Sequence, residues 1–389
     1  MTGTLPGSAE VVVVGGGVIG VSVAFHLAQA GVRDVLVVER DRLGDGSSAK
    51  PLGGVRATFS DPGNIRLGLR SLESFETFGE RFGADIGLRQ VGYLFLCRTE
   101  AEVDAVERST RLQRSLGASG RMLTPEQAAE LNPYLDPGVL LAASFAPRDG
   151  YASPRAVVNA YRAAAERLGA SFAEHTEVLG IDRNHQRDDG ISAVLTTRGT
   201  VRTTQVVCAA GAWSARIGDF AGVPLPVVPV RRQIGLTRGR RHPVPTVPFT
   251  LDLSTTLYFH NHGSGLLLGI SDPAQAPGFD RGFTTDWLPA FDRAAQVVAP
   301  SLARPALDGG WAGLYENTPD HNALIGTSAA VPGFSYATGF SGHGFLQAPA
   351  VGEVMRDLLL DRRPFIDPAP FSVERFTADE TRVHEVHII

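Results

Sequence analysis

The chain has 389 residues, 43% of them hydrophobic, and a formal net charge of −5. This length predicts two domains or one domain with a large insertion, and the acidic balance without a basic tract argues against a nucleic-acid partner. Neither a secretory signal nor a membrane span is recognisable, so we expect a cytoplasmic protein without a membrane partner and leave its oligomeric state open. Cys97 and Cys208 stand in apolar runs and are expected as buried core thiols, and no metal site is predicted.

The first predicted elements are a buried strand of four valines from Val11, a glycine turn, a helix and a second strand that ends at Glu39. Gly15, Gly17 and Gly20 have the G-x-G-x-x-G spacing of a dinucleotide-binding turn, in which a pyrophosphate lies against the helix N-terminus. A carboxylate about twenty residues farther on typically accepts a hydrogen bond from a ribose hydroxyl. We therefore expect an ADP-containing dinucleotide. A βαβ unit without a ligand is the alternative, and the pattern does not distinguish NAD from FAD.

The segment after Glu39 is long, small and polar, and it contains Ser47, Ser48 and Gly53. Small residues let backbone N–H groups approach ligand oxygens, so this segment is expected to wrap around an extended ligand. Lys50, in the same segment, is the only lysine of the chain. Any role that needs a primary amine on a side chain therefore falls to Lys50.

Hydrophobic periodicity places the remaining elements along the chain. Helices are predicted over residues 64–82, 100–116, 153–168, 284–298 and 347–360, with a further short helix that begins at 124. Strands are predicted over residues 91–97, 139–145, 178–181, 191–197, 201–207, 227–236, 257–260, 266–270 and 334–338, and around 172. A second glycine loop, 339–345, separates the last strand from the last helix, so a second helix N-terminus is expected to face the same ligand.

Four blocks of the sequence together resemble the FAD-dependent D-amino acid oxidase superfamily. They are residues 12–20 with Glu39 and Arg40, the loop 53–56, the Cys-Ala-Ala-Gly-Ala-Trp run at 208–213, and the loop 338–345. The branch with sarcosine oxidase, glycine oxidase and the β-subunits of sarcosine and proline dehydrogenases is the most similar. The resemblance implies an α/β fold with a discontinuous Rossmann-like FAD-binding domain and an α+β substrate domain whose sheet is mainly antiparallel. The predicted boundaries are 8–83, 147–213 and 306–389 for the first domain, and 84–146 and 214–305 for the second.

The resemblance also implies which residues contact the cofactor. The predicted FAD-binding residues are Gly15, Gly17, Val18, Ile19, Gly20, Glu39, Arg40, Ser47, Ser48, Lys50, Gly53, Gly54, Val178, Ala210, Gly211, Trp213, Gly313, Gly339, Gly342, His343, Gly344, Phe345 and Leu346. In monomeric sarcosine oxidases, a cysteine attaches FAD covalently at the position that matches Gly313. Since glycine has no thiol, the FAD of this chain is predicted to be bound non-covalently.

The resemblance implies oxidation of an amino acid C–N bond to an imine, by hydride transfer from the α-carbon to flavin N5, followed by hydrolysis of the imine. The dipole of the helix after the second glycine loop is expected to stabilise negative charge on the flavin ring. The candidate catalytic residues are Arg56, Tyr258, Tyr315 and His343. Flavin contact or ordinary packing is the alternative role of each.

Positions that bind the substrate carboxylate in the relatives are altered in this chain. A lysine after the His-Gly-Phe triplet of sarcosine oxidases is Leu346 here, a second, oxygen-linked lysine is Leu267, and an arginine of glycine oxidases is Tyr315. The remaining candidates to bind a carboxylate are Arg56, Tyr258, Tyr315, Arg232 and His260. The two leucines predict an apolar pocket and therefore a substituent on nitrogen that is bulkier than methyl.

The predicted substrate is an N-substituted glycine or a related secondary amino acid, and the products are glyoxylate or an aldehyde plus an amine. O2 is the predicted electron acceptor, with H2O2 as its product. A proline- or sarcosine-type dehydrogenase subunit that passes electrons to another acceptor is one alternative. A flavin-binding subunit without activity of its own and an NAD-dependent dehydrogenase are the others.

Overall fold

The computed structural model describes residues 4–50, 52–185, 189–239, 244–376 and 385. The helices are α1 Val18–Gln29, α2 Pro62–Glu76, α3 Phe78–Phe82, α4 Glu100–Ser115, α5 Pro125–Leu131, α6 Pro154–Arg167, α7 Ser214–Ala221, α8 Leu288–Val298 and α9 Gly344–Leu359. The strands are β1 Val11–Val14, β2 Val35–Val38, β3 Gly54–Val55, β4 Tyr93–Cys97, β5 Arg121–Leu123, β6 Ala142–Ala146, β7 Gly150–Tyr151, β8 Ser171–Ala173, β9 Val178–Arg183, β10 Ile191–Thr196, β11 Gly199–Arg202, β12 Val206–Cys208, β13 Val228–Thr237, β14 Phe249–Asp252, β15 Tyr258–His262, β16 Gly265–Gly269, β17 Leu307–Asn317, β18 Leu324–Thr327 and β19 Phe334–Thr338. Short 3-10 turns include Ser47–Ala49 and Gly211–Trp213.

A six-stranded sheet with the order β18–β19–β12–β1–β2–β8 contains the first predicted strand at its centre. All its pairs are parallel except β18–β19. Both faces of β1 are covered: Val13 packs in a core with α1, α6 and α9, whereas Val12 packs in a core with the small sheet β9–β10–β11 and α7. A parallel strand that is buried on both faces needs a continuous apolar run, which is why β1 consists of four valines.

Helix α1 lies between β1 and two other helices, α6 and α9. Ser22 of α1 donates a hydrogen bond of 2.7 Å to the carbonyl of Ala348 in α9. A Cβ atom at Gly352 would lie 2.3 Å from Oγ of Ser22, so the two helices approach closely only because this residue is glycine. Among the described residues, none of the helices combines the length and the apolar character needed to cross a bilayer.

An eight-stranded sheet with the order β17–β13–β16–β15–β14–β4–β6–β5 forms the second layer. Its strand pairs are antiparallel except β14–β4, which confirms the prediction of a mainly antiparallel sheet. Residues 307–317 pair with β13 in this sheet, although the predicted boundaries assign 306–389 to the FAD-binding domain. A strand belongs to the sheet with whose strands it forms hydrogen bonds, and the residues of the strand alone do not identify those partners. The domain boundaries remain a prediction.

Several predicted elements begin or end elsewhere in the structure, and the strand predicted over 139–145 runs over 142–146 after a 3-10 turn at 137–139. The helix predicted over 64–82 is divided at Thr77, whose hydroxyl donates a 3.0 Å hydrogen bond to the carbonyl of Glu73 and thereby competes with the helical pattern. The strand predicted over 201–207 is divided at Thr203, whose hydroxyl caps a turn with Gln205. The helix predicted from 284 begins at Leu288, and the helix predicted from 347 begins at Gly344, next to the glycine loop.

The two cysteines are buried and free, as predicted. Burial raises the pKa of the Cys97 thiol to about 12 and that of the Cys208 thiol to about 11. Both thiols therefore stay protonated near neutral pH and act as small apolar core groups.

Candidate active site

A cleft runs along the carboxyl ends of β1, β2 and β12, and the strands β13, β15 and β17 of the second sheet cover it. Its empty volume is about 1790 Å³, including the open mouth. Open α/β sheets bind their ligands at this edge, because helix N-termini and loop backbones meet there. The chain therefore places its ligand site between the two sheets.

The glycine turn after β1 is shaped by close backbone contacts. Gly15 has a φ of +110°, and a Cβ atom there would lie 2.3 Å from the carbonyl oxygen of Ala209. A Cβ atom at Gly20 would lie 1.9 Å from the carbonyl oxygen of Gly15. Gly17 is the N-cap residue of helix α1 and has no side chain to cap it, and Val18 donates its N–H to Oγ of Ser48 at 2.8 Å. The turn thus leaves a positive helix end facing the cleft, which is suited to a pyrophosphate.

Glu39 ends β2 at the rim of the cleft. Its two carboxylate oxygens accept hydrogen bonds of 2.8 Å from the N–H groups of Gly16 and Asp41. Burial raises the pKa of this carboxyl group, and the two N–H donors oppose that effect. Each oxygen keeps a lone pair for a further donor, so the predicted ribose contact is compatible with the observed hydrogen bonds.

The small polar segment after Glu39 folds over the middle of the cleft. Ser47 donates a 2.7 Å hydrogen bond to the carbonyl of Leu314, and the indole N–H of Trp311 donates a 2.8 Å hydrogen bond to the carbonyl of Lys50. A Cβ atom at Gly313 would lie 2.8 Å from Cβ of Lys50. The segment is therefore tied to β17, and no space is left there for a side chain at 313.

The second glycine loop lies opposite the first. Gly342 has a φ of +95°, and a Cβ atom there would lie 2.4 Å from the ring of Tyr315. Helix α9 follows with His343 as its N-cap residue and no side-chain cap, so a second positive helix end faces the cleft. Glu316 connects the loop to β19, because it accepts hydrogen bonds from the N–H of Phe340 and the hydroxyl of Thr338.

The donor set of the cleft fits FAD. Two helix N-termini whose own N-cap residues provide no side-chain cap would offer positive charge to the phosphates and to a ring oxygen of FAD. A carboxylate at the rim would accept a hydrogen bond from the ribose, and aromatic residues border the other end of the cleft. Of the predicted FAD-binding residues, Gly20 and Gly339 do not line the cleft but shape its loops, and all the others line it. Their contacts to FAD stay a prediction.

Several residues that line the cleft were not predicted. Thr176, Glu177 and Arg216 line the end of the cleft near Glu39, here called the ADP end, and Arg216 is paired with Glu177 at 3.1 Å. Glu316 and Tyr93 line the other end, near Arg56 and His343, here called the ring end. Only weak signals in the sequence pointed to these residues. Thr176 and Glu177 directly precede Val178, which was predicted to contact FAD, and Tyr93 lies on a predicted strand whose neighbours in the sheet were not predicted.

Arg56 and His343 form one polar wall of the ring end. Arg56 is only 1% exposed and donates from Nη2 to Nε2 of His343 at 3.0 Å, across 287 positions of the sequence. Its Nη1 donates to the carbonyl of Thr58, and its guanidinium lies 4.4 Å from the centre of the Phe59 ring. Because arginine can only donate, Nε2 of His343 accepts and carries no proton.

Asp149 is buried behind this wall. Its carboxylate accepts hydrogen bonds from the N–H of Ala57 at 3.2 Å and the hydroxyl of Thr58 at 3.0 Å. Burial raises the pKa of Asp149 to about 7, against the opposing effect of these donors and of Arg56. Asp149 therefore keeps its proton at pH values well above 3.8, the ordinary pKa of an aspartate.

Replacing Asp149 with asparagine is expected to remove a pH dependence of stability. The folded state holds the proton up to about pH 7 and the unfolded state releases it near 3.8, so the free energy of unfolding falls as the pH rises through this window. The total is at most about 4 kcal/mol, since one pKa unit corresponds to about 1.4 kcal/mol. Chemical denaturation at pH 4 to 8 measures it. With exposed Asp104→Asn as the control, curves for Asp149→Asn that run parallel to those of wild type would contradict the expectation.

Tyr258, Tyr315 and Arg232 form the opposite wall. Tyr258 donates its hydroxyl to the carbonyl of Gln233 at 3.2 Å, and the guanidinium carbon of Arg232 lies 5.3 Å from the centre of the Tyr315 ring. Burial raises the pKa of both tyrosines, so their hydroxyls stay protonated as hydrogen-bond donors. The four predicted catalytic residues thus line one end of the cleft, although their roles stay a prediction.

His260, a candidate for carboxylate binding, does not line the cleft. Its two ring nitrogens lie 2.8 Å from the carbonyl of Asn261 and 3.0 Å from that of Leu52. Burial lowers its pKa to about 4, although the two carbonyl acceptors oppose this effect. His260 is therefore a structural residue that fixes the loop at Leu52.

Comparison with known proteins places these features in a wider group. The family description "FAD dependent oxidoreductase" (DAO) matches residues 10–358. Glycine oxidase of Geobacillus kaustophilus (strain HTA426) is 32% identical over 376 residues, which cover 94% of this chain and 97% of that protein. Mitochondrial dimethylglycine dehydrogenase of Mus musculus is 29% identical over 393 residues, 95% of this chain and 44% of that protein. The crystal structure of L-proline dehydrogenase from P. horikoshii superposes with a TM-score of 0.90 at 32% identity, and the match covers 97% of this chain and 100% of that chain.

Proposed function

The chain belongs to the DAO family of FAD-dependent oxidoreductases, and on this basis we propose that it oxidises the C–N bond of an N-substituted glycine or a related secondary amino acid. It is an FAD-dependent enzyme of the amino acid oxidase and dehydrogenase type, which replaces the alternatives of an NAD-dependent dehydrogenase and of an inactive flavin-binding subunit. The observation that carries the proposal is the ring end of the cleft. There, two arginines and three tyrosines surround a space that apolar side chains border.

The residues predicted to hold FAD divide between the two ends of the cleft. The turn at Gly15–Gly17 and Glu39 would hold the ADP half, and Gly53 with residues 342–346 would hold the ring. When bound, FAD would supply the oxidation itself as the acceptor of a hydride from the α-carbon of the substrate. Attachment is proposed to be non-covalent, because Gly313 offers no nucleophile and Lys50 occupies the adjacent space.

The protein side chains at the ring end bind and orient the substrate and exclude water. Removal of a hydride from the α-carbon needs a lone pair on nitrogen, so the amine must bind in its neutral form. Since Nε2 of His343 is held by Arg56, His343 is a neutral imidazole and adds no positive charge that would compete with the substrate. Protonated Tyr258 and Tyr315 donate hydrogen bonds and are not bases.

Apolar side chains beside these groups favour a substituted amine. Leu52, Ile234 and Leu346 line the ring end, whereas Leu267 is 1% exposed, packs in the same cluster as Tyr258 and does not line the cleft. We therefore keep Leu346 as part of the proposed apolar pocket, and Ile234 takes the place of Leu267 in it. The similarity to a dimethylglycine dehydrogenase and an L-proline dehydrogenase also supports a substituted nitrogen.

O2 is the proposed electron acceptor, with H2O2 as product. The similarity to glycine oxidase over nearly the whole chain supports an oxidase. The TM-score of 0.90 to L-proline dehydrogenase favours a second candidate function, a dehydrogenase that passes electrons to another acceptor. The two functions share the same reductive reaction and differ only in the reoxidation of the flavin.

Anaerobic titration of the purified FAD-loaded protein tests the proposal. Glycine, sarcosine, proline and larger N-alkylglycines are added in turn, and the visible absorbance of the flavin is recorded. We expect N-alkylglycines with bulky substituents or proline to reduce the flavin at lower concentration than glycine or sarcosine. Admission of air then measures H2O2 and separates an oxidase from a dehydrogenase.

The control substrate is trimethylglycine, which has no lone pair on nitrogen and cannot form an imine by hydride loss. It should leave the flavin oxidised. The proposed function is wrong if dithionite bleaches the flavin but none of the amino acids does. Reduction by sarcosine at a concentration equal to that of every larger N-alkylglycine would contradict the preference for a bulky substituent.

A further inference from the structure

Arg232 occupies a special position on β13. Residues 230, 232 and 234 share one face of the strand, and both Arg232 and Ile234 line the ring end of the cleft. Arg232 is paired in register with Gly313 of β17, where no side chain competes for the space. Tyr315 is its diagonal neighbour on that strand, which places the ring beside the guanidinium group.

The hydrogen-bonding capacity of Arg232 is mostly unused within the described part of the chain. Nη1 donates to the carbonyl of Arg231 at 3.2 Å, whereas Nε is buried and has no hydrogen-bond partner among the described residues. No aspartate or glutamate in the described ranges lies within ion-pair distance of this guanidinium. The adjacent Arg231 is the opposite case, because Asp280 accepts from its Nη1 at 2.8 Å and Gln275 from its Nε at 3.3 Å.

A buried N–H group without a partner is unfavourable, and native proteins rarely leave one. The guanidinium of Arg232 is partly buried, lines the cleft and has no anionic neighbour among the described residues. We therefore expect an acceptor on the ligand to take its unused hydrogen bonds. Carboxylates fit the fork of Nε and a terminal nitrogen with two parallel hydrogen bonds. The group on the ligand that best fits Arg232 is thus an anion with the geometry of a carboxylate.

Arg56 is less suited to this role. Its two terminal nitrogens donate to the carbonyl of Thr58 and to Nε2 of His343, and its flat face packs against Phe59. Binding a carboxylate would require breaking contacts that fix His343. Arg56 therefore positions His343, and Arg232 is available to a ligand.

We propose that Arg232 binds the carboxylate of the substrate through Nε and one terminal nitrogen, with Tyr315 alongside the guanidinium. This inference rests on the proposed function, because it assumes that the ligand is an amino acid. It narrows the substrate class to α-amino monocarboxylates whose remaining atoms lie against Ile234 and Leu52. Amines without a carboxylate are then poor ligands.

The test uses binding without turnover. Pyrrole-2-carboxylate and pyrrole-2-carboxamide have the same shape, cannot be oxidised like an amine, and differ in charge. Their dissociation constants are measured on FAD-loaded protein by isothermal calorimetry and by perturbation of the flavin spectrum. The wild type is expected to bind the carboxylate roughly 100-fold more tightly than the carboxamide, as expected for a bidentate charged pair. Arg232→Met should lose this preference, and Arg232→Lys should keep part of it.

The matched control is Arg231→Met, on the same strand but facing away from the cleft, which should bind both compounds like wild type. If Arg232→Met loses FAD, Arg232→Lys is compared instead and should still show a reduced preference. An unchanged preference in the Arg232 variants overturns the proposal, as does a loss confined to Arg56→Lys, which would make Arg56 the anchor. Binding of the carboxylate without any reduction by amino acids would leave this proposal intact and refute the proposed function.

Discussion

Replacement of Gly20 by alanine is expected to yield protein without bound FAD and with lower stability. A Cβ atom at this position would lie 1.9 Å from the carbonyl oxygen of Gly15 and 3.4 Å from a methyl group of Val13. Neither neighbour is the end of a flexible side chain, because the first is backbone and the second belongs to β1. Helix α1 must therefore move away from the strand.

This movement displaces the helix end that faces the phosphates, although Gly20 itself does not line the cleft. A displaced helix end offers its N–H groups and its dipole less well to the phosphates, so FAD should be lost during purification. Forced overpacking of a core typically costs about 1–3 kcal/mol. The ratio of flavin to protein absorbance and a thermal melt measure the two effects.

Gly180→Ala is the matched control, because a Cβ atom at Gly180 of β9 has no neighbour within 4 Å. This variant should retain FAD and melt like wild type. A Gly20→Ala protein that binds FAD stoichiometrically and melts at the wild-type temperature would show that the helix and strand are less tightly coupled than the structure indicates.

Replacement of Arg56 by lysine is expected to slow reduction of the flavin by about 100-fold or more. An ammonium group keeps the charge but cannot donate to both Thr58 and His343 in the planar arrangement of a guanidinium. His343 then loses the donor that fixes its ring, and a buried carbonyl loses its hydrogen bond at a cost of about 1–3 kcal/mol. Misplacement of a pocket wall has a large effect on rate because hydride transfer depends on close alignment.

Anaerobic stopped-flow reduction with the best substrate measures this effect. Arg66→Lys, an exposed substitution on α2, is the control and should reduce at the wild-type rate. FAD content is measured in parallel, since loss of flavin would lower the rate for a different reason. A fully flavinated Arg56→Lys protein with an unchanged rate would exclude Arg56 from the catalytic wall.

Much of the cofactor cleft was predictable from the sequence. The run of valines, the spacing of Gly15, Gly17 and Gly20, and Glu39 at the end of the second strand are local patterns, each produced by nearby residues. The second glycine loop was recognisable for the same reason. Most of the residues predicted from these motifs line the cleft.

Elements and contacts that depend on distant partners were not predictable in the same way. Strand β17 was missed because its residues 307–317 include three glycines and have no regular alternation, and its pairing with β13 is what makes it a strand. Glu316 and Tyr93 were missed as cleft residues because their exposure to the ligand depends on how the two sheets face each other.

The sequence by itself determined the class of fold, because backbone turns and buried strands demand particular residues at fixed local spacing, and the resemblance of its four blocks to a known family indicated FAD as the cofactor. The tertiary structure decided which candidates lie together at the ring end. His260 and Arg232 were equal candidates in the sequence, yet two backbone carbonyls occupy the nitrogens of His260, whereas Nε of Arg232 is left without a partner among the described residues. The physical reason is that a hydrogen-bonding group is available to a ligand only if the fold leaves it unsatisfied, and Arg56 meets His343 across 287 positions that no local pattern connects.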